Sequence, residues 1–357
     1  MGEILGIGLS HYPPLSGRDE DMAGILRWTL EDPDIPAAEK QPETWPKEMR
    51  REWADDGGAA AASEHRTRLV AAFREVRQVL DDFSPDVLLI WGDDQYENFR
   101  EDVIPPYAVL AYGDLLLYPW KMVQESSDMV GKANIWNEPP STSFIVRGRP
   151  DLAKALVTAL TEDDLPVAYS YTQLHHPGLP HAFLNAILYL DYDRRGFSYP
   201  IIPFPVNCYG RKVVSYKGFL SRFGEQRELD PPSPSPSHMM DVGAAVARFF
   251  ADQPLKVALV ASSSWSHAFL CDKTWRLRPD TDADMELYQA LLQGDTNQWR
   301  SKAVGDLERS GQQEMLNWFC LVGAMEELGR RTPNWADMVR TEVFNSNKAF
   351  CVYEPTC

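Results

Sequence analysis

The amino-acid sequence predicts an α/β protein with three layers, α/β/α, around a central sheet that is mostly parallel or mixed. Two observations support this fold class. Segments such as 86–91 and 256–261 are short and continuously apolar, as expected of strands that are covered on both faces. Amphipathic helical segments alternate with these strands along the chain, and this alternation is typical of a sheet with helices on its faces.

The individual elements follow in chain order. Residues 3–9 are a short, apolar, glycine-containing strand. Residues 63–83 form a helix, because apolar residues recur there at spacings of three and four with charges between them. Ser84-Pro85 ends this helix, since the residue before a proline avoids helical geometry. The remaining segments predict helices at about 151–162, 181–190, 238–251, 283–293, 295–309 and 312–328, and strands near 166–171, at 199–206, 256–261 and about 349–353.

A long irregular segment separates the first strand from the first long helix. Residues 12–60 are rich in Pro, Asp, Glu and Trp, with one short helix expected at 21–30. Irregular segments of this length are usually functional. We expect either a lid over a site, to which Trp28, Trp45 and Trp53 would contribute, or an oligomer contact; a solvated surface insertion is the third alternative.

A second irregular segment is the proline–serine run at 231–237, which is predicted to be extended and not helical. Strand–helix alternation resumes directly after this run, so we interpret it as a loop within one domain. The sequence therefore predicts a single domain over residues 1–357, enlarged by the insertion at 12–60.

Composition and charge disfavour several functional classes. The chain has 52 acidic and 35 basic residues and a formal net charge of −17, which disfavours binding to nucleic acid or to an anionic membrane. No apolar run approaches the ~18 residues that span a bilayer, and the N-terminus lacks the basic segment of a signal peptide. The five cysteines are scattered without a CxxC pattern, which favours reduced thiols. These features predict a cytoplasmic protein.

Polar residues follow several predicted strands at their carboxyl ends, where sites in open α/β sheets are found. A single histidine in such a position is more often a hydrogen-bonded structural group than a ligand. The joint pattern nevertheless predicts one site, because the fold brings these ends together. The residues concerned are Ser10-His11, Asp93-Asp94-Gln95, His175-His176, Asn207 and the segment from Ser262 to His267.

Five motifs in the same order resemble those of the class III extradiol ring-cleavage dioxygenases. The resemblance covers nearly the whole chain apart from 12–60. Each motif is short, and the combination carries the resemblance. The motifs are Ser10-His11, Gly92 to Phe99 followed by Ile104-Pro105-Pro106, Ile201 to Asn207, Ser264 to His267, and Ser310 to Trp318.

The resemblance implies a non-haem Fe(II) ion held by two histidines and one glutamate. Mn(II) is the alternative metal for a more anionic site, which would form if Asp93 or Asp94 supplied a carboxylate. His11 matches the first histidine ligand and Glu314 the carboxylate ligand. His267 matches the acid–base histidine, and His176 or its neighbour His175 matches a further histidine near the substrate.

The sequence departs from the family pattern at the second histidine ligand, whose place is taken by Gln95. Three outcomes stay open: Gln95 binds the metal through its carbonyl oxygen, Asp93 or Asp94 supplies a carboxylate, or the metal is lost and the scaffold is reused. Further residues are expected to surround the metal ligands or contact the substrate, namely Asp93, Asp94, Asn207, Ser266 and His181.

The resemblance therefore implies an Fe(II)-dependent dioxygenase of aromatic compound catabolism, which cleaves a catechol- or aminophenol-type ring, or a similar chelating substrate, with O2. The alternatives are a metal-dependent hydrolase or lyase in the same pocket and a metal-free binding protein on the same scaffold. A separate lid subunit is not required if 12–60 covers the site, and a homo-oligomer is compatible with the sequence.

Overall fold

The computed structural model describes residues 2–121, 130–211, 217, 222–225 and 227–355, and a six-stranded mixed sheet lies at its centre. Its strands are β1 (Glu3–Leu9), β2 (Val87–Asp93), β7 (Ile201–Val206), β8 (Lys256–Ser262), β9 (Trp335–Val339) and β10 (Lys348–Tyr353). Their order across the sheet is β7-β2-β8-β1-β10-β9. Two further two-stranded sheets consist of β3 (Ala108–Leu110) with β6 (Ala168–Ser170) and β4 (Leu115–Leu117) with β5 (Phe144–Val146).

The sheet combines a parallel part with an antiparallel edge. β7, β2, β8 and β1 run parallel to one another, whereas β10 is antiparallel to both β1 and β9. The apolar strand β2 is buried along its whole length, as its continuous hydrophobicity indicates. The predicted α/β class with a mixed central sheet is confirmed.

Helices cover both faces of the sheet and bury two separate apolar clusters. The helices are α1 (Gly24–Leu30), α2 (Lys47–Trp53), α3 (Ala59–Phe83), α4 (Pro150–Glu162), α5 (His181–Leu190), α6 (Pro236–Ala251), α7 (Thr281–Gln293), α8 (Thr296–Arg300), α9 (Val304–Arg309) and α10 (Leu316–Glu327). Of these, α4, α6 and α10 contribute to one cluster, and α1, α2, α3 and α5 contribute to the other. Among the described residues, none of the helices combines the length and the apolar character that a bilayer-spanning segment needs.

Three element predictions need correction. The helix expected at 295–309 is two short helices, α8 and α9. The strand expected near 166–171 is reduced to β6, which pairs with β3 outside the central sheet. The run at 231–237 was predicted to be non-helical throughout, but α6 begins at Pro236, because proline is favoured in a first helical turn and the Ser235 hydroxyl accepts a hydrogen bond from the His238 N–H.

The segment 12–60 contains α1 and α2 and packs onto the core. Met22, Leu26, Trp45 and Met49 are buried in the same apolar cluster as α3, whereas Trp28 is 44% exposed. The helix expected at 21–30 is present as α1. These contacts make the segment part of the fold, while its role as a lid or an oligomer contact stays a prediction.

Candidate active site

The carboxyl ends of β1, β2 and β8 meet at one edge of the sheet. Leu9 pairs with Ser262, and Gly92 pairs with the same residue from the other side. His11, Asp93 and the residues after β8 are therefore brought together by the strand order alone, as the sequence predicts. Glu314 reaches the same place from a 3-10 turn, Gln313–Met315, directly before α10.

The imidazole of His11 is oriented by its Nδ1 atom. Nδ1 lies 2.9 Å from the Ser262 carbonyl oxygen, so its N–H donates to that oxygen. The other ring nitrogen, Nε2, is then unprotonated and lies 3.7 Å from Asp93 Oδ1 and 3.7 Å from Glu314 Oε2. A carbonyl behind one ring nitrogen is the usual arrangement behind a metal-binding imidazole.

Asp93 and Glu314 present buried carboxylate oxygens that have no hydrogen-bond partner among the described residues. These are both oxygens of Asp93 and Oε2 of Glu314. Such unpaired groups are costly, because burial without compensation disfavours the charged form. Burial raises the pKa of Asp93 to about 6 and raises the pKa of Glu314 well above its ordinary value. A divalent cation would satisfy these oxygens and the His11 Nε2 together, so these residues fit a metal ion.

The second oxygen of Glu314 is held by two other buried side chains. The Tyr209 hydroxyl donates to Glu314 Oε1, and His267 Nε2 lies 3.2 Å from the same oxygen. Burial lowers the pKa of His267 to about 3, so its imidazole is neutral. The His267 Nδ1 atom is buried without a hydrogen-bond partner among the described residues.

His181 is the first residue of α5 and joins the cluster from the opposite side. Its Nε2 lies 3.8 Å from Asp93 Oδ2, and its ring packs edge-on against His11 with centroids 4.9 Å apart. Burial opposes a charge on His181, but Glu97 and Asp93 outweigh it and raise its pKa to about 10. Ligand atoms of His11, Asp93 and His181 all lie within 4.8 Å of one another, a spacing that suits a shared metal ion.

Comparisons with known proteins identify similar sequences among aromatic ring-opening dioxygenases. Residues 229–350, about a third of the chain, match the sequence model of a family described as the catalytic LigB subunit of aromatic ring-opening dioxygenase. The 2,3-dihydroxyphenylpropionate/2,3-dihydroxicinnamic acid 1,2-dioxygenase of Photorhabdus laumondii is 24% identical over 215 residues, which are 59% of this chain and 51% of that protein. The resemblance to the class III extradiol dioxygenases is confirmed. The match spans about half the length of the curated relative.

The LigB match contains His267 and Glu314, whereas His11 and the residues after β2 lie outside it. The positions of His11 and of the residues after β2 are therefore known from the structure of this chain and not from the family match. At the place of the family's second histidine, Gln95 is half-buried, and its side chain makes no hydrogen bond to any described residue. Its predicted role as a metal ligand stays a prediction.

The neighbouring candidates after β2 and before α5 have distinct surroundings. Asp94 accepts hydrogen bonds from the backbone N–H groups of the turn at 97–99. His176 is largely buried, and its Nε2 lies 3.8 Å from Glu97 Oε1, within the group of residues around His181. His175 is exposed and contacts Asp102 at 2.9 Å. Of the two histidines, His176 is the one that the structure brings next to the cluster.

Ser266 and Asn207 have hydrogen bonds that order the surrounding loops. The Ser266 hydroxyl donates to the Ser310 carbonyl oxygen and accepts from the Asp280 N–H, so it ties the loop after β8 to the start of α7. The Asn207 side-chain oxygen accepts from the Gly210 N–H. These contacts hold the segments that carry His267 and Tyr209.

Two residues of the cluster had no role assigned from the sequence, namely Glu97 and Tyr209. Glu97 lies inside the quoted motif from Gly92 to Phe99, and Tyr209 follows Asn207 by two residues. A glutamate in an acidic chain and a tyrosine after a strand carry no distinguishing pattern, so only the folded arrangement identifies them.

Proposed function

We propose that this protein is a divalent-metal dioxygenase that opens an aromatic ring with O2, with Fe(II) as its metal. The observation that carries the proposal is the group of unpartnered, buried carboxylate oxygens of Asp93 and Glu314 around Nε2 of His11. The similarity to aromatic ring-opening dioxygenases supports the same reaction class.

His11, Asp93 and Glu314 would hold the metal through one imidazole nitrogen and two carboxylates. Imidazole and carboxylate donors suit Fe(II), and the oxygen-rich set makes Mn(II) the alternative. When bound, the metal would supply a Lewis-acidic, redox-active centre for a chelating substrate and O2. Ring cleavage of the extradiol type, on a catechol or aminophenol, is the chemistry that such a site supports best.

His267 would move a proton between substrate and protein. Its neutral imidazole lies beside Glu314 Oε1 and has a buried ring nitrogen without a partner among the described residues. A neutral imidazole accepts a proton from an incoming hydroxyl group, and the resulting imidazolium donates it later in the reaction. His176, whose Nε2 lies 3.8 Å from Glu97 Oε1, is proposed as a second histidine near the substrate.

A small groove lies beside Asp94. It lies at the carboxyl ends of β2 and β7, one residue from Asp93, and its walls are mostly apolar. The groove is lined by Asp94, Tyr96, Phe99, Ile104, Pro105, Pro205, Val206 and Asn207.

The test is metal content together with O2 uptake. Protein purified without oxygen should contain one Fe(II) per chain and consume O2 with catechols or aminophenols, and phenols that cannot chelate should give no uptake. His11→Ala and Glu314→Ala should each lose metal and activity. His238→Gln is the matched control, because that imidazole contacts Tyr107 and none of the described site residues.

Two results would overturn the proposal. If His11→Ala and Glu314→Ala each still bound metal stoichiometrically, these residues would not form the metal site. Turnover of a substrate without O2 consumption would indicate a metal-dependent hydrolase or lyase on this scaffold.

A further inference from the structure

We infer that His181 supplies the second imidazole of the metal site, in place of the histidine that the chain lacks at position 95, and that Glu97 is the positioning residue that holds it. This inference rests on the proposed metal site. It is independent of which substrate the protein cleaves.

His181 is placed where a ligand is needed. Its Nε2 faces Asp93 Oδ2 at 3.8 Å, a distance that is too long for a hydrogen bond but leaves room for an ion between the two atoms. Its ring edge meets the ring of His11, whose Nε2 faces the same carboxylate. Two imidazoles from different elements thus converge on Asp93.

Glu97 fixes His181 with both of its carboxylate oxygens. Oε1 accepts the backbone N–H of His181 at 2.9 Å, and Oε2 lies 2.8 Å from Nδ1 of the same residue. The first contact places the start of α5, and the second sets the rotation of the ring. A carboxylate that accepts from one imidazole nitrogen directs the other nitrogen to a metal.

The turn that carries Glu97 is itself held rigidly. Asp94 accepts three backbone N–H groups of that turn, and Tyr96 has a left-handed backbone with φ of 61°. The Asn98 side-chain oxygen accepts the Leu174 N–H, which ties the turn to the segment before α5. The motif from Gly92 to Phe99 contains no histidine. Its Glu97 instead binds His181, the first residue of α5.

The direct test is equilibrium binding of Co(II), a spectroscopic probe for the metal, under anaerobic conditions. His181→Ala should weaken Co(II) binding by ~10–100-fold and change the visible absorption of the bound ion. Gln95→Ala should bind Co(II) with an affinity within about twofold of the unaltered protein. Added imidazole should restore binding to His181→Ala by entering the space of the missing ring.

Two outcomes contradict His181 as a ligand: unchanged affinity and spectrum in His181→Ala, or loss of binding in Gln95→Ala. In either case the proposed function survives if the unaltered protein still binds metal and consumes O2. If the unaltered protein binds no Co(II), the metal site itself fails, so the two failures are distinguishable.

The positioning role of Glu97 is tested by a double-mutant cycle. Glu97→Ala should weaken Co(II) binding, Glu97→Gln should recover part of the affinity through its remaining acceptor oxygen, and Glu97→Ala combined with His181→Ala should lose no more than His181→Ala alone. Additive losses would show that Glu97 acts separately from His181. Circular dichroism of each variant checks that the fold is retained.

Discussion

At the scale of single residues, Tyr209 places its hydroxyl group beside Glu314, the proposed carboxylate ligand. The Tyr209 hydroxyl donates to Glu314 Oε1 and leaves Oε2 directed at His11. Tyr209→Phe should keep the fold, because only the hydroxyl is removed, but should weaken metal binding by ~10-fold. Metal titration with thermal unfolding in parallel measures both effects.

Tyr353→Phe is the matched control for that substitution. The Tyr353 hydroxyl is buried on β10 without a hydrogen-bond partner among the described residues, so its removal should leave metal affinity unchanged and should not reduce stability. Equal effects of the two substitutions on metal binding would refute the role of Tyr209.

Lys348 is a second residue whose chemistry follows from burial. It is fully buried, its Nζ donates to the Phe344 carbonyl oxygen at 2.6 Å and lies 3.6 Å from the centre of the Tyr12 ring. Burial lowers the pKa of Lys348 well below its usual 10.5, and the negative charge of Glu52 offsets only part of this effect. Between the two pKa values the unfolded chain holds a proton that the folded chain lacks, so this residue's contribution to stability rises with pH.

Lys348→Met should therefore raise the melting temperature at pH 7, and the gain should shrink as the pH rises toward 10.5. The Phe344 carbonyl oxygen still accepts from the Ser346 N–H, so the variant leaves no orphaned acceptor there. Thermal unfolding of both proteins across this pH range tests the prediction. A gain that is independent of pH would contradict it.

At the scale of elements, α6 and α10 approach closely because each presents a glycine to the other. A Cβ atom at Gly243 would lie 1.9 Å from the Cys320 carbonyl oxygen, and one at Gly323 would lie 2.1 Å from the Met240 carbonyl oxygen. Neither backbone can give way without separating the helices. Gly243→Ala should therefore destabilise the protein by at least ~2 kcal/mol in chemical denaturation.

Gly305→Ala is the control for the helix pair. Gly305 lies in α9, and an added Cβ would meet only the flexible end of Arg309 at 3.5 Å. This substitution should be neutral or stabilising by about 0.5–1 kcal/mol, as expected of glycine replaced by alanine inside a helix. A comparable loss in both variants would contradict the role of the glycine contact.

Most elements were predictable from the sequence, because their apolar patterns coincide with burial on a covered sheet. The long helix α3 and the strands β2 and β8 were found on this basis. The strand β9 was not, because it is a half-buried edge strand without a continuous apolar run. The short strand β6 was assigned without its partner, since pairing with β3 depends on a fold that local patterns do not specify.

The site was predictable where its residues directly follow strands, as with His11 and Asp93. Glu314 required the resemblance, because a glutamate in a 3-10 turn has no local signature. The contact between Glu97 and His181 joins residues 84 positions apart. Such a pair depends on how α5 packs against β2, which the spacing of either residue does not reveal.

At the scale of the whole molecule, the carboxylates of Asp93 and Glu314 would link the proposed metal ion to folding. They join β2 and the turn before α10 to His11 after β1, so a bound metal would tie distant parts of the chain together. Metal at ~100 times its dissociation constant should stabilise the fold by about 2.7 kcal/mol. We propose that residues 1–357 unfold as one domain, so that a single unfolding transition should shift as a whole.

In the metal-free protein, replacing the carboxyl groups of Asp93 and Glu314 by amides should raise the melting temperature. Asp93→Asn combined with Glu314→Gln keeps the shape of both side chains but removes two buried carboxyl groups whose ionisation is opposed by burial, which raises the pKa of both. This variant should melt higher than the unaltered protein in the presence of a chelator, and added metal should not shift its melting temperature. Calorimetry with and without metal measures both differences. A variant that melts lower than the metal-free protein would mean that these carboxylates stabilise the fold without a cation.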